Sequence, residues 1–81
     1  MSPSERVSFY EAIYDELSAA AFKEEDLSED LQNKVKLLEE YYTSGEWRAD
    51  YEADEAGEFP PELKRGVLSQ DAVYDLLTEL D

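Results

Sequence analysis

Eighty-one residues make one small domain, whose single core leaves only a few kcal/mol of net stability, and the lack of cysteine excludes a disulfide framework, a thiol nucleophile and a thiolate metal site. A hydrophobic share of 42%, with six Tyr, three Phe and one Trp, is too high for a disordered chain even at 36% charge, so a packed core is expected. Seven Lys and Arg against 22 Asp and Glu give a formal charge of -15, which repels nucleic acid and anionic lipid and argues against direct binding to either.

The chain starts MSPSER, a polar stretch without the basic-then-apolar pattern of a signal peptide, and no run approaches a membrane span, so a cytoplasmic protein is expected. Ser2, Pro3 and Glu5 combine an N-cap serine, proline at the first helical position and glutamate three residues after the cap. A first helix follows, its apolar stripe running through Val7, Tyr10, Ile13, Tyr14, Leu17, Ala20 and Ala21 to about Phe22. Lys23 to Asp26 breaks the pattern, and either Asp26 (with Glu29 as its third residue) or Ser28 caps a second helix. That helix presents Leu31, Val35, Leu38 and Tyr42, widened by Leu27, Leu37 and Tyr41, and Gly45 is placed to stop it. So short a connection makes the two helices an antiparallel hairpin.

WRADYEADEAGEF, Trp47 to Phe59, follows. Trp47 and Tyr51 are four apart and share a face, with Asp50 and Asp54 on the neighbouring one, so the spacing predicts a short third helix from Glu46 to Ala56 whose aromatic side closes onto the hairpin. Gly57 terminates it and Phe59 adds an apolar anchor. Pro60-Pro61 forces a turn leading into one helical turn around Leu63, which Gly66 ends. Ser69 caps a last helix, with Leu68 and Val73 as its hydrophobic staple and Val73, Leu76, Leu77 and Leu80 as its stripe. There is no internal repeat and no low-complexity segment.

The stretch LLEEYYTSGEWRADYEADEAGEFPPELKRGVLSQDAVYDLL, Leu37 to Leu77, resembles the small bacterial family known as domain of unknown function 4298, in its YY, its W..DYE.DE.G and its LKRGVLS.D..Y.LL. The resemblance covers about half the chain; the first helix matches only in being amphipathic, and Pro60-Pro61 departs from the family's pattern. It implies a compact helical protein of bacterial or phage origin and transfers no activity and no catalytic residue.

Asp50, Glu52 and Asp54 alternate like the first three ligands of a calcium-binding EF-hand loop, but the required glycine position holds Glu55 and the bidentate glutamate position holds Pro61, so no metal site and no cofactor is expected. With no His, no Cys and no glycine-rich phosphate loop, Ser28, Ser44 and Ser69 read as caps and loop residues, and no enzyme is expected. Lys64 and Arg65 are the only adjacent cations and are expected to pair with Asp50, Asp54 or Glu55.

Residues 1–45 carry 11 acids and 4 bases and residues 46–81 carry 11 and 3, so the excess charge belongs to the folded surface rather than to a tail. Asp71, Asp75 and Glu79 stand four apart on the last helix, where they repel one another and Glu79 and Asp81 oppose the helix dipole; Glu11 and Asp15 repeat the spacing. Such a ladder is either a solvated face or an imitation of nucleic-acid phosphates. Aromatic anchors ringed by acids are the other route to a partner.

The expected fold is all-α over residues 1–81, an antiparallel two-helix hairpin closed by a short third helix and a C-terminal helix in a small bundle. The expected function is a non-enzymatic acidic module that binds a protein partner, basic where acids steer it in. Its candidate partner-binding residues are Trp47, Asp50, Tyr51, Asp54, Glu55, Asp71, Asp75 and Glu79. The alternative is a nucleic-acid mimic of the anti-restriction or anti-CRISPR type, occupying the basic cleft of a DNA- or RNA-binding protein.

Overall fold

The computed structural model describes residues 2–23 and 27–80. Four α-helices run in the order α1 (Pro3–Phe22), α2 (Glu29–Thr43), α3 (Gly45–Glu55) and α4 (Gln70–Leu80), with a single 3₁₀ turn (Gly66–Leu68) before α4 and no strand among the described residues. The small helical bundle expected from the apolar periodicity is what forms.

The caps explain where the first helices begin. Ser2 Oγ accepts from the Glu5 amide at 3.2 Å, and Glu5 returns a carboxylate to the Ser2 amide at 3.4 Å, which closes a capping box ahead of Pro3. Ser28 Oγ accepts from the Leu31 amide at 3.2 Å and caps α2; the other candidate, Asp26, lies outside the described residues, as does Asp81.

Two glycine assignments are corrected. Gly45 does not end α2 but is the first residue of α3, and the break is made by Ser44, whose extended backbone (φ -85°, ψ 166°) closes one helix and opens the next. Its hydroxyl donates to the Tyr41 carbonyl at 2.8 Å and accepts from the Glu46 amide at 3.2 Å, so one side chain serves both termini. Gly66 does not end a helical turn around Leu63 either: residues 61–65 form an irregular turn, and Gly66 begins the 3₁₀ turn. Gly57 is as expected, at φ +75°, with its own amide bonded to the Asp54 carbonyl and the Glu58 amide to that of Ala53, the double closure of a Schellman motif.

Register along the hairpin is visible in two cross-pairs. Lys34 meets Glu16 at 2.7 Å, and the Tyr41 ring stacks on Tyr10 at 3.9 Å; as one index rises the other falls, so α1 and α2 are antiparallel. Both α3 and α4 pack against this hairpin, and the 3₁₀ turn touches α1, α3 and α4. The core gathers Val7, Ile13 and Leu17 of α1, Leu38 and Tyr41 of α2, Trp47 of α3, Phe59, Val67 and Leu68 of the connection, and Val73 and Leu76 of α4. On α2 the deep aromatic is Tyr41 rather than Tyr42, and Leu37 turns outward at 40% exposure. No described helix is long and apolar enough to cross a membrane.

Candidate protein-binding surface

Asp50 is the most deeply placed charge in the molecule's described part, at 1% exposure. Its carboxylate accepts from Arg6 Nε at 2.8 Å and Arg6 Nη2 at 2.5 Å, a bidentate fork, and from the Tyr41 hydroxyl at 2.6 Å. The hydrogen bond to Asp50 holds the Arg6 guanidinium above its ordinary pKa. Burial first, and then the bond to Asp50, push the Tyr41 phenol well above its ordinary value. This corrects two expectations at once: Asp50 faces neither Lys64 and Arg65 nor a partner, because the partly buried cation that reaches it comes from α1.

Trp47 closes onto the hairpin as its spacing predicts, and is corrected only as a partner-binding residue. It is 7% exposed, its indole N–H donates to the Val67 carbonyl at 2.9 Å, and its ring lies between Tyr42 (5.0 Å, edge-on) and Tyr51 (5.3 Å, stacked). An indole so enclosed is a core residue that ties α3 to the 3₁₀ turn, and it is not available as an interface anchor. Tyr51 is half-buried beside it, and the carboxylate of exposed Glu55 one turn on holds its phenol above the ordinary pKa.

Asp54 pairs with Arg65, one of the partners expected for it. Arg65 also donates to the carbonyls of Pro60 at 2.6 Å and Leu63 at 3.2 Å, so it staples the diproline connection onto α3. Lys64 makes no ion pair among the described residues. Asp50 and Asp54 thus answer to different arginines, and among the described residues no three carboxylates converge as a metal cluster.

Glu11, read in the sequence as half of an acidic pair with Asp15, is 7% exposed and accepts from the amides of Gly66 and Val67, each at 3.1 Å. These amides open the 3₁₀ turn and have no helical partner of their own, so a carboxylate from α1 satisfies them from across the fold. The approach is close: a Cβ on Gly66 would stand 2.9 Å from Glu11 Oε1, so the carboxylate would have to shift to admit it. Sequence reasoning passed over Arg6 and read Glu11 only as a surface acid. Their signal was position, since Arg6 lies one turn before Tyr10 and Glu11 one turn after Val7, both within the apolar stripe.

The three acids of α4 are placed differently. Asp71, Asp75 and Glu79 are all exposed and make no ion pair among the described residues, while Val73 and Leu76 anchor the helix in the core. Of the eight candidate residues, the structure therefore withdraws Trp47 and Asp50 into the interior, ties Asp54 to Arg65, leaves Tyr51 and Glu55 at the edge of α3, and brings Asp71, Asp75 and Glu79 together as one open face.

Neither a search of curated proteins nor one of solved structures finds a match. A family model does match, over residues 7–81, and so takes in nearly all of α1 along with the stretch from Leu37 onward. The chain belongs to the family described as Domain of unknown function (DUF4298).

Proposed function

We propose that this chain is a non-enzymatic acidic module of bacterial or phage origin that acts in the cytoplasm by binding a basic protein partner. The observation that carries the reading is the open face of α4, with exposed Asp71, Asp75 and Glu79 that make no ion pair among the described residues. Like charges one turn apart destabilise a helix by a few tenths of a kcal/mol per pair, and a cationic partner relieves that repulsion on binding. The wider charge of -15 steers such a partner in. The non-enzymatic part is supported by the carboxylates beside the cavity of about 320 Å³ between α1 and the diproline connection: Glu11 is committed to two backbone amides, and Asp15 and Glu62 are solvated.

The test is retention of host proteins by the immobilised chain, compared with a D71N/D75N/E79Q triple variant whose helicity is checked by circular dichroism. Wild type is expected to retain a basic protein whose binding weakens about tenfold in the triple variant and falls with salt. Retention of nothing, or equal retention by both, overturns the reading.

The same ladder supports a second reading, a nucleic-acid mimic, because its carboxylates recur about every 6 Å along a rigid axis. A mimic's partner would be a DNA- or RNA-binding protein released by added nucleic acid. Under the first reading nucleic acid does not compete.

A further inference from the structure

Phe22, at the end of α1, is 89% exposed, far more than any other large apolar side chain described. It stands at one end of an open groove of about 300 Å³ between α1 and α4. Tyr14, Ala21 and Phe22 line the α1 wall, and Leu76 lies in the floor with Asp75 and Glu79 on the α4 wall. We infer that this groove is where the partner docks, and that its occupant is a cationic amphipathic helix. The inference rests on the interaction-module reading and specifies its site.

The shape of the groove selects a helix. Both walls are helical, and the α1 wall runs from Tyr14 to Phe22, about 12 Å or two turns, a length that suits two turns of a third helix. Helical walls offer no row of free N–H and C=O groups for an extended strand to pair with. Small Ala21 and Ala72 let an incoming backbone come close, while Phe22 gives its apolar face something to cover.

Charge selects the sign. Asp75 and Glu79 are one turn apart on a single wall, so two Lys or Arg one turn apart on the occupant meet them in register. A second copy of this chain is the wrong occupant, because each copy carries -15 and pairing would press acidic walls together. The same sign repels nucleic acid and anionic lipid.

The probe is an amphipathic Leu/Lys peptide of about 16 residues, long enough to form a helix on binding, compared with its Leu/Glu counterpart and mapped on the full chain by amide chemical shifts. The Leu/Lys peptide is expected to bind and the Leu/Glu peptide not to, with shifts concentrated on residues 14–22 and 72–79. Phe22→Ser, which alters a solvent-exposed side chain, weakens binding about tenfold or more at every salt concentration. The D75N/E79Q pair weakens it about tenfold at low salt and little at high salt. Shifts spread over α2 and α3, binding unchanged by Phe22→Ser, or a concentration-dependent dimer abolished by Phe22→Ser would each overturn the inference. Host-protein retention separates the two ideas: if Phe22→Ser retains the host partner as wild type does, the groove is wrong and the module reading stands. If wild type retains no host protein, the module reading fails while the peptide experiment still decides what the groove accepts.

Discussion

Asp50 shows how one buried charge is made tolerable. A carboxylate at 1% exposure needs its negative charge met and its lone pairs occupied, and Arg6 with Tyr41 does both across three helices. Removing the charge in Asp50→Asn leaves the guanidinium only the exposed Glu46, at 3.4 Å, as its counter-ion. The expected loss is about 3 kcal/mol in urea unfolding, near the low end for a broken buried pair, because solvent still reaches the Arg6 side chain. Asp54→Asn breaks a more exposed pair and is expected to lose less than about 1 kcal/mol; equal losses for the two variants would show that burial does not govern the difference. Tyr41 adds a pH dependence whose sign follows from its raised pKa. The unfolded phenol releases its proton near pH 10, whereas the folded one, buried and donating to Asp50, keeps it, so this contribution is complete below about pH 10 and is lost as pH rises through the folded value. Ultraviolet titration should therefore find a tyrosine that ionises only with alkaline unfolding, and Tyr41→Phe should flatten the alkaline fall of stability. A tyrosine count that completes before unfolding would refute the assignment.

At the scale of elements, the glycines separate what the sequence makes legible from what it does not. Gly57 was readable because a helix stop followed by Phe59 needs a left-handed residue there, and at φ +75° Gly57→Ala is expected to cost about 1 kcal/mol. Gly45 looks the same in sequence, yet it sits inside α3 with nothing within 4 Å of an added Cβ, so Gly45→Ala is expected to raise the melting temperature slightly. Opposite signs in a thermal melt confirm the two assignments, and matching signs contradict one of them. What decided between them was Ser44, and a serine's cap role depends on a backbone conformation that spacing does not reveal. Gly66 depends on a contact 55 residues away in the chain, with Glu11. Periodicity reports which face a helix buries, and so it located the four helices and most of the core; it is blind to a carboxylate crossing the fold to cap another element. The Glu11–Gly66 contact predicts coupling: Glu11→Ala strands two amides and Gly66→Ala displaces the carboxylate, so their separate losses should exceed the double variant's by about 1 kcal/mol. Additive losses would mean that the carboxylate does not cap the turn. The candidate site was half legible for a related reason. Asp50 and Asp71 look alike as acids on short helices, and only the path of α1 determines that one meets Arg6 while the other meets water.

For the whole molecule the governing quantity is charge. Ion pairs take up part of the acidic excess, through Arg6, Lys34, Arg48 and Arg65, but a net -15 remains on a domain with a 12.5 Å radius of gyration, and the α4 ladder has no cation of its own among the described residues. Two effects of salt then oppose each other. Screening weakens the exposed pairs, such as Arg48 with Glu52, each of which contributes at most about 1 kcal/mol. It also weakens the repulsion among carboxylates, which acts at longer range and therefore responds more strongly as the Debye length shrinks from about 30 Å to below 10 Å. The buried Asp50 pair is screened least and changes little. Repulsion wins because the acids outnumber the cations threefold, so the melting temperature is expected to rise with sodium chloride, by roughly 5 °C or about 1 kcal/mol between 0.01 M and 0.2 M. A flat or falling melting curve over that range would mean that the ion pairs outweigh the repulsion. Neutralising the α4 face with D71N/D75N/E79Q should shrink the salt response while raising the low-salt stability. That direction is informative about function as well: acids that destabilise the free fold, and whose removal strengthens it, point to a surface arranged for a cationic partner rather than for the stability of the isolated domain.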